Sequence, residues 1–353
     1  MSELHAETYR RIDDVNGNQW NNVVSQSKLG SLYNRHEWMR AIESGYDFEP
    51  RHVVVEKKGN PVAIMPNFVR ELPVPDSITH ALLGGLPFES LTSTYPGYGG
   101  PLILSDEREA LDLLFEELES SRGPTLVYHR IQSNDLSHVR YGRYLQDRGY
   151  QPRFDSCLFF VNLGDGWESI RDDMDKERRK DLRKAEEQDY TVDVAPLADD
   201  FDGTYDAYAR NTERVGGTVR PRAFIESLAD AFGEQILVFT ARVDGREVGR
   251  YVHLLDEEAS VLRHWLSAIP ERENYRYRPS ELLHARAIRF GIEEGYDEYG
   301  FGVADAHFHD GVFRFKRKYG ARPVPMFRME KGYSRVVWPL YRLGRRLVRR
   351  RGI

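Results

Sequence analysis

The sequence predicts a mixed α/β (α+β) fold with two domains of similar plan. The chain has 353 residues, which is too long for one ordinary domain and comfortable for two. Helical and strand patterns alternate along the whole chain. In each half, helices lead into a strand, a glycine turn and a second strand, and a further helix and strand follow. Meandering strands before one late helix–strand unit do not suit a purely parallel sheet, so we expect mixed sheets.

The first half contains two amphipathic helices and a hairpin. Apolar faces predict the helices over 18–28 and 36–44, and valine-rich runs predict strands over 52–56 and 61–66 around a glycine turn. A helix over 107–121 and a strand over 125–129 follow. The intervening stretch 79–104 is rich in glycine and proline, and its loop 97–101 is either a set of tight turns or one wall of a ligand cleft.

The second half repeats this plan. The pattern predicts helices over 167–188, 201–214, 221–232 and 280–295, with Ser280 as the N-cap of the last, and strands over 235–243, 247–255, 260–266 and 297–301. The residues 244–246 form the hairpin turn. We place the boundary near 150–156, which gives domains of residues 1–155 and 156–335 and a basic tail over 336–353.

The net charge of −6 hides an uneven distribution. From Arg314 to Ile353 there are 14 lysines and arginines and one acid, Glu330. Such an end favours an anionic partner: a membrane, a nucleic acid or phosphate. Within 336–351, apolar residues and arginines suit an amphipathic helix on an anionic membrane, although a plain solvated tail fits as well. The basic end lacks interleaved exposed aromatic residues and a known RNA-binding module, which disfavours nucleic acid as its partner.

Several classes of protein lack their signatures here. The single cysteine, Cys157, lies in an apolar run, which indicates a core residue rather than a reactive thiol. We find no dinucleotide-binding, P-loop, zinc-protease or serine-hydrolase motif. His307 and His309 have no further ligands nearby in sequence, so we expect no metal site. A signal-peptide pattern and a stretch of 18 apolar residues are also missing, and we expect a cytoplasmic protein, with peripheral contact at the inner face of the membrane through the tail.

Three segments concentrate residues suited to an anionic substrate or to catalysis. Arg179 and Arg183 are one helical turn apart, either as part of a solvated, ion-paired helix or as a clamp for a phosphate or carboxylate. Residues 275–278 precede a helix N-terminus, where an anionic group would dock favourably. In the segment 313–316, aromatic and basic residues alternate, and the pattern fits either a strand or a short helix.

These segments resemble the FemABX-like branch of the GNAT acyltransferase superfamily, particularly FemAB-like proteins of envelope and exopolysaccharide loci. The resemblance covers most of the chain and is carried by the helix ending at 183–186, the 244–245 hairpin, the run 267–295, Gly300-Phe301-Gly302, and the run 315–320, Phe-Lys-Arg-Lys-Tyr-Gly. It implies two tandem GNAT-like domains with a ligand cleft between or along them. It also implies that the last strands of the chain can return to complete the first domain. FemX-type enzymes transfer an amino acid from aminoacyl-tRNA to an amine of a peptidoglycan precursor without a metal or a covalent enzyme intermediate.

The resemblance also suggests roles for individual residues. It makes Lys316 the group that stabilises charge during transfer. The acetyl-CoA signature R-x-x-G-x-G/A is replaced here by residues 276–281, so the donor is either aminoacyl-tRNA or acyl-CoA, with no tightly bound cofactor.

Acyl transfer to an amine needs removal of a proton and a donor for the developing oxyanion. Lys316 suits the role of donor to the oxyanion. The alternative is a structural ion pair between Lys316 and Asp305 or Asp310. The base is Asp305, Asp310 or Tyr299, unless the amine binds in its neutral form. For substrate binding we select seven residues: Tyr98, Arg179, Arg183, Arg263, Tyr275, Arg278 and Tyr299. We expect an acyl donor and an amine acceptor as partners; the alternative is a non-catalytic binding protein of the same fold.

Overall fold

The computed structural model describes residues 4–72 and 87–351, with side chains up to residue 344. The part of the glycine- and proline-rich stretch before residue 87 therefore lies outside the described residues. The chain divides into two compact units, one formed by Met1–Phe154 together with Met326–Ile353 and the other by Asp155–Pro325. The second unit thus ends at Pro325 rather than at 335, because the last strand returns to the first unit. Each helix of the described ranges is too short or too polar to cross a bilayer.

The first 154 residues supply most of the first unit. The strands are β1 (Leu4–Tyr9), β2 (Glu49–Pro50), β3 (His52–Lys57), β4 (Asn60–Met65), β5 (Asn67–Glu71), β6 (Glu89–Ser93), β7 (Leu102–Ile103), β8 (Leu126–Ser133) and β9 (Gln151–Pro152). The helices are α1 (Gly17–Gln26), α2 (His36–Gly45), α3 (Glu107–Ser120) and α4 (Gly142–Asp147). The predicted hairpin is present, because Lys58 and Gly59 adopt positive φ values of 54° and 77°, as a tight turn between twisted strands requires.

The second unit contains seven strands and six helices within residues 155–325. The strands are β10 (Ser156–Asn162), β11 (Tyr190–Pro196), β12 (Ile236–Val243), β13 (Arg246–Asp256), β14 (Val261–Ala268), β15 (Glu298–Asp305) and β16 (Arg322–Pro325). The helices are α5 (Gly166–Asp173), α6 (Lys176–Glu186), α7 (Phe201–Arg214), α8 (Arg222–Phe232), α9 (Pro279–Glu293) and α10 (Gly311–Arg317). The strands form one sheet in the order β11-β12-β13-β14-β15-β10-β16. Its core includes Cys157, which is buried as predicted.

The chain then returns to the first unit through β17 (Phe327–Gly332) and α11 (Val337–Arg351). β17 lies between β8 and β9 in the six-stranded sheet β2-β5-β6-β8-β17-β9, and a second sheet has the order β1-β3-β4-β7. The first unit is therefore completed by a strand that the sequence places almost 200 residues after its neighbour β8.

Two predicted helix boundaries in the second unit are wrong. The helix over 167–188 is two helices, because the Asp175 side chain accepts a hydrogen bond from the Glu177 amide at 2.8 Å and starts α6 anew. Ser280 is not an N-cap. Arg278 holds that position with φ of 54°, and the Ser280 hydroxyl accepts a hydrogen bond from Tyr251 at 2.8 Å.

The sheet of the second unit opens between β14 and β15. These parallel strands pair at three positions only, ending with Arg263 opposite Gly300. Beyond that point β14 continues along β13, and β15 continues along β10. The β10–β15 register also shifts, with Phe160 opposite Gly300 and Phe159 opposite Gly302, which leaves Phe301 as an extra residue. The diverging strands create a notch in the sheet, and backbone groups at its edges have no ladder partner across it.

Candidate active site

Lys316 lies at the notch between β14 and β15. The Asp310 side chain accepts a hydrogen bond from the Phe313 amide at 2.7 Å and starts the short helix α10, so the segment 313–316 is helical rather than extended. From this helix the Lys316 ammonium donates to the Val303 carbonyl of β15 at 2.6 Å. Gly302, next to Val303, has φ of +78°, a backbone conformation that favours glycine.

The environment of Lys316 destabilises its charged form. Burial lowers the pKa of Lys316 from 10.5 to about 8, against the opposing influence of Cys157 and Asp310. The side chain forms no ion pair within residues 4–72 and 87–351, so the predicted structural pairing with Asp305 or Asp310 is absent there. Asp305 is exposed at the end of β15. Lys316 is thus a partly desolvated cation whose donors reach a backbone edge of the notch, which suits stabilisation of an oxyanion.

A cluster of histidines and tyrosines, all buried except the half-buried His264, lies beside this lysine. Burial, together with the charge of Lys316, lowers the pKa of His264 to about 3, and burial likewise holds the pKa values of His253 and His284 well below 6.5. The ring of His264 lies 4.5 Å from that of Tyr251 and 5.1 Å from that of His284. These histidines are therefore neutral, and they add polar groups without adding positive charge next to Lys316.

Tyr299, predicted as a base or a substrate-binding residue, lies in the middle of this cluster. Its hydroxyl contacts His253 Nε2 at 3.0 Å and His284 Nδ1 at 2.7 Å, and the side chain is completely buried. A hydroxyl has one proton and two lone pairs, so it donates to at most one of these histidines and accepts from at least one. Burial also raises the pKa of Tyr299 well above 10.0, which keeps the hydroxyl neutral. Its geometry is that of an internal support for the cluster.

Substituting Tyr299 with phenylalanine tests this support. The substitution leaves two buried imidazole nitrogens without a partner, and we expect the free energy of unfolding to fall by about 1–3 kcal/mol. Urea denaturation measures this loss. Tyr296→Phe is the matched control, because Tyr296 is half-buried and its hydroxyl makes no hydrogen bond within the described ranges. Equal losses in both variants would contradict the assignment.

A buried ion pair, which the sequence reasoning missed, supports the lysine helix. Arg178 of α6 donates to Glu281 of α9, and both side chains are buried. The guanidinium also lies 4.9 Å from the ring of Phe315 and 4.5 Å from that of Tyr319, two residues that flank Lys316. Burial raises the pKa of Glu281, while Arg178 acts in the opposite direction. The signal was available in sequence, since Arg178 shares the apolar face of α6 with Leu182 and Ala185 at helical spacing.

The predicted arginine clamp does not point into this cluster. Arg179 and Arg183 are exposed on α6, where Arg179 donates to the Asp172 carbonyl and Arg183 lies 3.9 Å from Glu187. The geometry is that of the solvated, ion-paired alternative.

The remaining substrate-binding candidates are dispersed. Arg263 donates to Asp256 at 2.6 Å in a buried pair, whereas Tyr275 is 45% exposed and Arg278 lies 3.2 Å from Asp181. Tyr98 belongs to the first unit, where its ring packs edge-on against Tyr33 at 5.0 Å. Within the second unit, Tyr275 and Arg278 therefore remain accessible near the start of α9.

The N-terminus of α9 offers few donors to an anionic ligand. Pro279 has no backbone N–H, and the amides of Glu281 and Leu282 both donate to the Arg278 carbonyl, at 3.1 and 3.5 Å. The carboxyl group of Glu281 itself lies at this end of the helix. The segment that replaces the acetyl-CoA signature thus does not form a cradle of free amides for a diphosphate. No group of three or more potential metal ligands occurs in the described part of the chain.

Comparisons with known proteins agree with this architecture. Residues 173–317 match the family model described as an acetyltransferase (GNAT) domain. This range includes the diverging strands β14 and β15 and also Lys316. Among solved structures, FemX has a TM-score of 0.68 at 13% identity, covering 96% of this chain and 99% of that one. The C-terminal domain (DUF2156) of a putative lysylphosphatidylglycerol synthetase from Agrobacterium fabrum has a TM-score of 0.57 at 12% identity. This match covers 89% of this chain and 91% of that one. A tandem GNAT protein from the clavulanic acid biosynthesis pathway has a TM-score of 0.52 at 11% identity, and the match covers 94% of this chain and 98% of that one. No curated protein matches the sequence.

The chain has a two-domain, GNAT-like fold. Its resemblance to the FemABX-like branch of the superfamily is confirmed in fold. The match of residues 173–317 to an acetyltransferase domain supports acyl transfer in general, from an acyl donor to an amine acceptor.

Proposed function

We propose that the protein is an N-acyltransferase or aminoacyltransferase that modifies an amine of a cell-envelope or polysaccharide precursor in the cytoplasm. The observation that carries the proposal is the Lys316 ammonium at the notch of the GNAT-domain sheet, 2.6 Å from the Val303 carbonyl. The similar fold of a putative lysylphosphatidylglycerol synthetase supports an envelope acceptor.

In the proposed reaction the amine attacks the carbonyl carbon of the donor directly. A C–N bond forms, and the C–O bond of an ester or the C–S bond of a thioester breaks. The proton that the amine loses ends on the leaving hydroxyl or thiol. Lys316 donates to the carbonyl oxygen as it becomes an oxyanion. The one cysteine, Cys157, is buried and its pKa is raised by burial, which supports transfer without a covalent enzyme intermediate.

The proton acceptor and the substrate contacts belong to the same proposal. Asp305 is exposed and is our preferred base, because the Asp310 side chain already caps α10. Tyr275 and Arg278 are the accessible residues that we assign to anionic or polar groups of a substrate. We propose aminoacyl-tRNA rather than acyl-CoA as the donor, since the start of α9 has few amides free for a diphosphate.

A parallel assay of both donor classes tests this proposal. The purified chain is incubated with radiolabelled acetyl-CoA or with a labelled aminoacyl-tRNA mixture, each with amine acceptors that include nucleotide-linked amino sugars and aminoacylated lipids. We expect labelled amide from aminoacyl-tRNA and much less from acetyl-CoA. Efficient transfer from acetyl-CoA would contradict the choice of donor. Saturable binding of either donor without any product would favour the non-catalytic alternative.

A further inference from the structure

The C-terminal helix α11 packs against the first unit through one side. The rings of Trp338 and Tyr341 lie 4.7 and 5.7 Å from that of Tyr128 on β8. Trp338 also covers Gly332, where an added Cβ would lie only 2.0 Å from the indole. Glycine at this position therefore lets the indole rest on the strand backbone, which fixes which side of the helix faces the unit.

The opposite side carries an aliphatic stripe. Val336, Leu340 and Leu343 are 63%, 58% and 54% exposed. Their spacing of four and three residues places them on one face. Three large aliphatic side chains in a row on the surface are uncommon in a soluble protein and mark an interaction surface.

The charge of this helix selects the chemistry of the partner. Between 336 and 353 the sequence has six arginines and no acidic residue. RNA would use these cations together with exposed aromatic rings, but Trp338 and Tyr341 are packed against Tyr128. Exposed aliphatic side chains beside arginines instead match the boundary between acyl chains and anionic headgroups.

We propose that α11 binds the surface of an anionic lipid bilayer. The stripe Val336, Leu340 and Leu343 enters the boundary of the acyl chains, and the arginines contact the headgroups. With 15 residues at 1.5 Å each, the helix is about 22 Å long, and it lies in the plane of the interface while Trp338 holds it to the unit. The helix belongs to the first unit and Lys316 to the second, and no step of this proposal rests on acyl transfer.

Flotation of the full chain with vesicles tests the proposal. We expect binding to mixed phosphatidylcholine–phosphatidylglycerol vesicles, weakening as salt is added, and little binding to phosphatidylcholine alone. Leu340→Ser combined with Leu343→Ser should weaken binding at least tenfold. Leu136→Ser combined with Val139→Ser is the matched control, because these residues are also exposed apolar residues of the first unit but lie outside the helix.

Three outcomes of the binding experiments would overturn the proposal. Equal binding of the Leu340/Leu343 variant and the parent chain would exclude the stripe. Equal binding to neutral and anionic vesicles would exclude the headgroup contacts. Binding of a tRNA mixture without binding of anionic vesicles would make the helix a nucleic-acid surface.

The fold of the Leu340/Leu343 variant is checked by circular dichroism and thermal unfolding. Both leucines are on the surface, so we expect these signals to be unchanged, and a loss of vesicle binding is then not a loss of fold.

Discussion

Lys316→Ala should lower kcat about 10²–10³-fold, with a small effect on the KM for the donor. The loss corresponds to removing one oxyanion donor, which typically costs about 2.7–4 kcal/mol of transition-state stabilisation. The ammonium is buried at the notch, where water replaces it poorly. Steady-state kinetics with the donor identified by the parallel assay measure the change.

Lys318→Ala is the matched control for this substitution. Lys318 lies two residues further along the chain, but it is only half-buried and pairs with the exposed Glu177 at 2.5 Å. It should retain nearly full activity, since exposed ion pairs contribute little. If Lys316→Ala and Lys318→Ala both had the same kcat as the parent chain, the role assigned to Lys316 would be wrong. This conclusion holds for any donor and acceptor.

The pH dependence separates a cationic role for Lys316 from a role as base. Its pKa of about 8 means that the ammonium loses its proton as the pH rises through 8. Of the nearby groups, Cys157 and Asp310 raise this pKa, and His264 is neutral above about pH 3. A cationic role therefore predicts that kcat/KM falls above pH 8.

Lys316→Arg should remove that fall, because a guanidinium keeps its charge throughout this range. Stability changes in the opposite sense: the cost of burying the ammonium is fully present below pH 8 and disappears as the pH rises toward 10.5. A rise in kcat/KM through pH 8 that is absent in Lys316→Arg would instead assign the base to Lys316.

The sequence predicted the elements that local chemistry determines. The helix over 36–44, the hairpin strands at 52–56 and 61–66, and the turn at 244–246 all have clear periodicity or glycine at the required position, and the structure has them within a few residues. The tandem GNAT fold came from the resemblance of whole segments, and the comparisons agree with it.

The geometry of the site could not be predicted in the same way. The notch depends on where β14 stops pairing with β15, after Arg263 and Gly300, and strands so far apart in sequence have no local pattern that sets this register. Lys316 was selected through the resemblance, but its contact with Val303 needs the fold. The charged helix over 167–188 concealed both the break at Asp175 and the burial of Arg178, because arginine is read as a surface residue unless its neighbours at helical spacing are considered.

Arg178→Ala should lower the free energy of unfolding by about 3–5 kcal/mol, since it leaves the Glu281 carboxylate buried without its cation. It also removes the guanidinium from the rings of Phe315 and Tyr319. The neighbouring Arg179→Ala is the control, because Arg179 is exposed and should change stability by no more than about 0.5 kcal/mol. Urea denaturation of both variants measures the difference.

The loss should depend on pH in a direction that identifies its cause. Burial already raises the pKa of Glu281, and Arg178 opposes this rise, so removing the arginine raises the pKa further. The folded variant then binds a proton that the unfolded chain releases, and its stability decreases as the pH rises from the unfolded value near 4.5 toward the raised folded value. The deficit of Arg178→Ala should therefore be smaller at pH 5 than at pH 8, and Glu281→Gln in the same chain should remove most of that dependence. A deficit that is equal at both pH values would assign the loss to packing against Phe315 and Tyr319 rather than to the unpaired carboxylate.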